Sequence, residues 1–408
     1  MLNGVEIMKI TDEDQFLTVW NHNGDVRNTD SKFRGCITDK ENKIICPSLG
    51  YTLEYNIKNK DNCADHLTNM SNWKWYYSME GTMLRLYNYQ NKWRLSTHKK
   101  LSAFKSRWSC NLTFGEMFID ALRSIFHERE NVYEWFVNQL DKDNIYYFFL
   151  RSNSQNRVIC HTNFIKDHEK LVFLGHRDCK SFQFHFGKDL PMVIENISKP
   201  IMLTRTFQTL DEIFEYAENK TDPFMYQGIS GYCESNGECK IVKILNTKYK
   251  ELIKIRGNNH NLKFRYLELR CDPERKEKLY MLYPKLVQIF EDYEKLIQKI
   301  SKRISKTYTE RFIDKKYITL PKEEFLILRK CHLWCKMNNE TYVTSKNVED
   351  LINNESPLYI YKMINRFRSS DQTYQQRFSL NFKKKESNFD SIHDFYNCDS
   401  VSSDETIV

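Results

Sequence analysis

Ser78-Met79-Glu80-Gly81-Thr82-Met83-Leu84-Arg85-Leu86-Tyr87 is the stretch on which the reading of the fold turns. An acidic-Gly-Thr turn enters a run in which Leu84 and Leu86 alternate with Arg85, the period of a strand with one buried face. Asn88-Tyr89-Gln90-Asn91 then reads as a hairpin loop, and Lys92-Trp93-Arg94-Leu95-Ser96-Thr97 as the returning strand. Directly after it comes His98-Lys99-Lys100-Leu101-Ser102-Ala103-Phe104-Lys105-Ser106-Arg107-Trp108, which gathers five basic or histidine side chains.

Working outward, further β-rich runs stand at Phe33-Arg34-Gly35-Cys36-Ile37-Thr38, Lys43-Ile44-Ile45-Cys46 and Arg157-Val158-Ile159-Cys160. Residues 114–128 and 210–219 carry helical spacing, with Thr113 and Thr209 as caps. Beyond Pro284 the pattern changes. Leu286, Ile289, Phe290, Tyr293, Leu296, Ile297, Ile300 and Ile304 recur at three- and four-residue steps, which predicts a long amphipathic helix facing a bundle core. Another helix is expected near Pro321, whose followers Glu323 and Glu324 suit a first turn. The expectation is therefore α+β: an antiparallel-sheet domain over residues 1–270, a helical domain over 271–375, and a polar tail over 376–408 expected to be disordered.

Composition excludes several classes. With 408 residues, 40% of them hydrophobic and 14% aromatic, the chain is too long for one small core and too aromatic for general disorder. Its apolar runs, such as Tyr146 to Leu150 and Leu358 to Tyr361, are far shorter than the ~20 residues of a bilayer span, so no membrane role is expected. The first residues, Met1-Leu2-Asn3-Gly4-Val5-Glu6-Ile7-Met8, have neither basic nor apolar signal regions. An intracellular, reducing compartment is expected. Sixty-two Lys and Arg against 54 Asp and Glu leave a net charge of +8, suited to a polyanionic partner. The 12 cysteines read as free thiols. Cys331 and Cys335 stand one helical turn apart, and no second Cys/His pair follows at a zinc-site spacing.

Taken in order, these segments resemble the nucleotide-binding core of covalent nucleotidyltransferases, and more closely that of phage-type RNA ligases. Segments of this kind also resemble proteins of large DNA viruses, which would make the host cytoplasm the compartment. In that family a Lys-x-Asp/Glu-Gly turn carries the lysine that attacks the α-phosphorus of ATP. Glu80-Gly81 is similar to its acidic-Gly pair, Phe33-Arg34-Gly35 to the strand before it, and Phe104-Lys105-Ser106-Arg107 to a basic strand after the hairpin. Tyr146-Tyr147-Phe148-Phe149-Leu150 with Asn156-Arg157-Val158-Ile159 resembles the strand pair of the third motif. Tyr226-Gln227-Gly228-Ile229 resembles the Glu-Gly motif, and Cys239-Lys240-Ile241-Val242-Lys243-Ile244 the last, lysine-bearing strand. The resemblance covers residues 30 to 260.

The reactive positions depart from that pattern. Ser78 stands where the resemblance puts the nucleophilic lysine, and a hydroxyl cannot form a lysyl phosphoramidate. Phe149 or Leu150 stands where an acidic residue is expected, and Gln227 replaces the glutamate. Losing carboxylates removes the charge that positions Mg²⁺. Ser78, Glu80, Gly81 and Gln227 are thus the positions of the reactive centre, and Arg34, Lys105, Arg107, Gly228, Lys240 and Lys243 those of nucleotide or phosphate binding; Lys99 and Lys100 add charge. The bland alternative makes these lysines a solvated strand edge. Lys74, four residues before Ser78, offers a displaced amine about 13 Å away along a strand.

The stretch from Lys254 to Arg270 interleaves basic and aromatic residues around Gly257-Asn258. Arg256, Lys263 and Arg265 can track a nucleic-acid backbone while Phe264 or Tyr266 stacks on a base, or the same apolar residues can be core. Three functions follow: a pseudoenzyme of ligase-like fold binding nucleotide or RNA ends, with RNA favoured over DNA; an active RNA ligase with ATP and Mg²⁺ as cofactors and a displaced lysine; or a scaffold without cofactor.

Overall fold

The computed structural model describes residues 7–12, 15–20, 35–49, 52–63, 67, 70–127, 129–185, 190–235 and 238–370. Arg34 and the tail at 376–408 lie outside the described residues. The chain divides into two compact units, residues 1–254 and 255–408.

The first unit is built of antiparallel sheets, as its alternating runs lead one to expect. Strands β1 (Ile7–Asp12), β2 (Gln15–Trp20), β3 (Ile37–Asp39) and β4 (Ile44–Cys46) form a meander. A second sheet takes the order β5 (Leu53–Tyr55), β13 (Glu238–Leu245), β12 (Gly228–Ser235), β6 (Lys74–Ser78), with β5 its parallel edge. A third runs β11 (Phe184–His185), β10 (Leu171–Asp178), β9 (Asn144–Leu150), β7 (Thr82–Tyr89), β8 (Lys92–Thr97).

The quoted stretch folds as a strand, a turn and a strand. The connection is tighter than the four-residue loop expected: Asn88 pairs with Trp93 and Tyr89 with Lys92, leaving Gln90 and Asn91 at φ +51° and +59°. Two left-handed residues make a turn whose twist matches that of the flanking strands. Leu84, Leu86, Tyr146, Phe148 and Phe173 then face α1 (Phe114–Ile125) and α2 (Val132–Asn138) in one continuous core. Thr113 caps α1 in a full capping box with Glu116. The second sheet buries its other face, Trp75, Ile229, Val242 and Ile244, under α5 (Leu210–Asn219), which Thr209 caps.

Three expectations are corrected. Arg157-Val158-Ile159-Cys160 is no strand: Val158–Thr162 is the short helix α3, so β9 pairs instead with β10 and β7. Its β-branched residues favour a strand, but the amides of Ile159 and Cys160 donate to the Glu80 carboxylate, and that tertiary cap wins. Phe104-Lys105-Ser106-Arg107 is likewise no strand but a 3₁₀ turn, Ala103–Lys105. Phe104 lies on α1 at Gly115, where a Cβ would come 2.2 Å from its ring. In the Phe33–Thr38 run Phe33 and Arg34 lie outside the described residues, and among the rest the strand starts at Ile37, after Gly35 turns the chain with φ +79°.

The second unit is helical throughout its described length: α7 (Leu262–Leu269), α8 (Pro273–Leu282), α9 (Val287–Tyr308), α10 (Lys322–Asn338), α11 (Ser345–Asn353) and α12 (Pro357–Ser370). The apolar stripe of α9, Phe290 through Ile304, is buried against α10, α11 and α12. Arg270 grips the Glu294 carboxylate through two nitrogens, each 2.7 Å from an oxygen. No helix among the described residues is long and apolar enough to cross a membrane. The remaining helices are α4 (Met192–Glu195) and α6 (Thr247–Arg256), the latter following β13 after Asn246.

Candidate functional site

The site forms where β6, β12 and β13 lie side by side. Ser78 pairs with Gly228, Tyr76 with Ser230, and Ser230 in turn with Lys243. Side chains alternate across a strand. Tyr76, Ser78, Ser230 and Lys243 therefore share the face opposite the Trp75 core, and with Phe149 and Leu174 of the third sheet they line a narrow recess.

Backbone contacts fix Gln227 at its edge. Its N–H donates to the Ser78 carbonyl at 2.8 Å, and its own carbonyl accepts from the Asn246 N–H at 2.9 Å. Gly228 makes this possible. It sits at φ +136°, and a Cβ there would come 2.1 Å from the Ile244 carbonyl oxygen.

The Gln227 amide joins two halves of the site. Its Oε1 accepts from Ser78 Oγ at 3.2 Å and from Lys243 Nζ at 3.2 Å. Its Nε2 donates to Tyr249 Oη at 2.8 Å, and that hydroxyl donates to Glu80 Oε1 at 2.8 Å. The other Glu80 oxygen accepts from the amides of Ile159 at 2.7 Å and Cys160 at 3.2 Å. Every donor meets an acceptor along this row, which sets the orientation of the amide. Glu80 is 1% exposed and its lone pairs are occupied by the protein itself. Gly81 lets the turn press onto β9, since a Cβ would meet the Leu150 carbonyl oxygen at 2.9 Å.

Lys243 is the cation of the recess. Burial lowers its pKa first; Glu54, whose Oε1 is 4.0 Å away, raises it, Arg157 lowers it and Glu80 raises it. Burial, then the charge and hydrogen bond of Glu80, hold the Tyr249 hydroxyl well above its ordinary pKa, so it stays a donor. Arg157 stacks its guanidinium on Trp108 at 4.7 Å.

Of the residues expected in the site, Ser78, Glu80, Gly81, Gln227, Gly228 and Lys243 come together. Lys240 does not: it is exposed, and shares the face of Val242 and Ile244 rather than that of Lys243. Lys99, Lys100, Lys105 and Arg107 are exposed on the chain after β8. Lys74 is exposed at the far end of β6, on the Ser78 face. Tyr249, Glu54 and Arg157 were not foreseen; an aromatic in a helix and an arginine in an apolar run carry no local signal of a shared site.

The basic-aromatic stretch is largely internal. Arg256 is fully buried, its guanidinium donating to the carbonyls of Gly257 and Asn259. Arg265 donates to the Ile255 carbonyl at 2.9 Å and pairs with Glu268 at 2.5 Å. Lys263 is half-buried, Tyr266 fully so, and Phe264 packs edge-on to Tyr361. Among the described residues no group of three or more His, Cys, Asp or Glu side chains gathers to hold a metal ion.

No family model matches the sequence. The chain is similar to the immediate-early protein ICP-46 homologue of Invertebrate iridescent virus 3, 26% identical over 296 residues, which are 71% of this chain and 61% of that protein. It is also similar to the ICP-46 homologue of Invertebrate iridescent virus 6, 23% identical over 293 residues, 67% of this chain and 61% of that one. The chain thus spans about three-fifths of the length of the curated relatives it matches. Among solved structures it is similar to variants of the Naegleria gruberi RNA ligase. One, with AMP and manganese, is 10% identical, covers 50% of this chain and 59% of that one, and has a TM-score of 0.35. Another, with ATP and manganese, is 10% identical over 51% of this chain and 59% of that one, also at a TM-score of 0.35.

Proposed function

We propose that the first unit is an RNA-ligase-like nucleotidyltransferase fold that binds a nucleotide, or the phosphorylated end of an RNA, in the recess above Ser78. Its family nucleophile position is lost to a hydroxyl. The observation that carries this reading is the row Ser78, Gln227, Lys243: a desolvated ammonium and a hydroxyl bonded to one amide oxygen, lining the narrow recess against Phe149 and Leu174. Phosphate oxygens are what such a group attracts, through charge-assisted contacts. Glu80 serves to hold the turn through α3 and Tyr249.

The nucleotide, when bound, supplies an electrophilic α-phosphorus and a pyrophosphate leaving group. Lys243 would hold its phosphates and the Ser78 hydroxyl would donate to them. Glu54 stands close enough to Lys243 to temper its charge without capturing it. Equilibrium dialysis of the full chain against ATP, GTP and a 5′-phosphorylated oligoribonucleotide tests this. Saturable binding that weakens ~10-fold or more in Lys243→Met supports it, since a charged contact contributes about 1.5–3 kcal/mol. Binding indifferent to that change overturns it.

A further inference from the structure

We propose that the outer face of α10 is a docking surface, and that its occupant is the acidic stretch at residues 386–398 of the same chain. The proposal concerns the second unit alone and does not depend on nucleotide binding.

The surface comes first. α10 turns Ile327, Leu328, Cys331 and Cys335 into the bundle. On the opposite side Leu326, Leu333 and Met337 stand at steps of seven and four residues, which places them in one row along the helix. Leu333 is 57% exposed and Met337 85%. A single exposed apolar residue is ordinary on a protein surface. A row of three, running about 16 Å along the outer face of one helix, is the pattern on which another segment lays its apolar side chains. Lys322, Arg329 and Lys336 run beside that row at seven-residue steps, all exposed, and none of them is in an ion pair with another described residue.

Charge and reach select the occupant. Residues 255–370 hold 24 Lys and Arg against 15 Asp and Glu. A second copy of α10 would set like charges against like, which disfavours self-association through this face. An acidic segment with its own apolar row suits it. In residues 386–398, Phe389, Ile392 and Tyr396 recur at three- and four-residue steps with Phe395 beside them, Glu386, Asp390 and Asp394 stand four apart, and Lys and Arg are absent. That stretch lies outside the described residues. Its tether starts in the right place. The Arg366 guanidinium is 3.4 Å from a carboxylate oxygen of Glu323, and the Glu323 carbonyl accepts the Tyr359 hydroxyl at 2.6 Å, so the last turns of α12 lie at the head of α10. Residues 371–388 can span up to ~60 Å, against the ~25 Å length of α10. Because the two partners share one chain, the segment is present at an effective concentration on the order of millimolar, and a weak contact suffices.

Hydrogen exchange of the full chain, read by mass spectrometry, tests the contact. Amides of residues 386–398 are expected to exchange ~10-fold or more slower than those of the same stretch as a free peptide. Leu333→Asp should abolish that protection, and so should Phe389→Asp. Leu333 is exposed, so circular dichroism should find the helices of the first variant intact; the second leaves α10 unaltered and answers the question if they are not. A photoreactive benzoylphenylalanine in place of Met337, irradiated in an equal mixture of ¹⁵N-labelled and unlabelled chains, identifies the occupant. A cross-link within one chain to residues 386–398 supports the proposal. A cross-link between labelled and unlabelled chains, a cross-link to any other segment, or exchange that is as fast as in the free peptide overturns it.

Discussion

Glu80 accepts the backbone N–H of Ile159 at 2.7 Å, across 79 residues of chain. That contact closes the turn of the site onto α3 and makes one carboxylate the hub of three donors, the third being Tyr249.

Replacing Glu80 by alanine is therefore expected to destabilise the first unit by about 3 kcal/mol, because the two amides and the tyrosine hydroxyl are left buried without an acceptor. Tyr249→Phe, which keeps the ring and removes one donor to Glu80 and the acceptor of Gln227 Nε2, should cost about 2 kcal/mol. Urea unfolding followed by tryptophan fluorescence measures both, and equal losses would show that Glu80 does not act as the hub.

The same contact explains what the sequence could and could not reveal. The Thr82–Tyr89 strand, the caps at Thr113 and Thr209 and the stripe of α9 are local codes, in which neighbouring side chains decide the outcome. Val158-Ile159-Cys160 reads as a strand by the same code, and only a distant carboxylate turns it into a helix. The site divides in the same way. Ser78, Gln227 and Lys243 are legible because they lie at the end of one strand, just before a second and within a third in an ordered series. Tyr249 is not, since its place depends on the amide of Gln227 and the burial of Glu80. Lys240 misleads because three-residue spacing from Lys243 means opposite faces in a strand.

Gly228→Ala should be among the most damaging small substitutions in the unit, at about 3 kcal/mol or more. Its φ of +136° is closed to L side chains, and the new methyl would be driven into the Ile244 carbonyl. Gln227 would shift with it, so nucleotide binding should fall in the fraction that still folds. Gly231→Ala is the comparison: there the nearest atoms are the Trp75 and Trp73 rings at 2.9 to 3.0 Å, which are side chains rather than backbone. Thermal melts that rank Gly231→Ala as the worse of the two would contradict this.

Lys243 gives the protein a signature in pH. Its pKa is lowered in the folded chain from an ordinary 10.5. The unfolded state then binds a proton that the native state releases, so this residue's contribution to stability rises with pH between the lowered value and 10.5 and is constant above. Lys243→Met removes the group and its titration. The difference in unfolding free energy between the two proteins, measured by urea titration at a series of alkaline pH values, should change in favour of the lysine protein as pH increases. A flat difference would mean that the amine is fully solvated, and one that slopes the other way that the native state holds its proton more tightly than the unfolded chain; either contradicts the lowered pKa.

The two lysines of β13 offer a final discrimination, because they carry the same charge on one strand and differ only in the face they occupy. If nucleotide binding were a matter of the overall surplus of positive charge, removing either would weaken it similarly and the effect would fade with salt over the ~8 Å screening length of physiological buffer. Lys243 instead lines the recess and is hydrogen-bonded to Gln227, while Lys240 is exposed on the face of Val242. Lys240→Ala should therefore leave the dissociation constant for ATP within about twofold, whereas Lys243→Ala raises it ~10-fold or more and does so at high salt as well, where a partly desolvated contact outlasts a surface one. Isothermal titration at two ionic strengths reads both, and parallel losses in the two variants would locate the nucleotide on the general surface instead of in the recess.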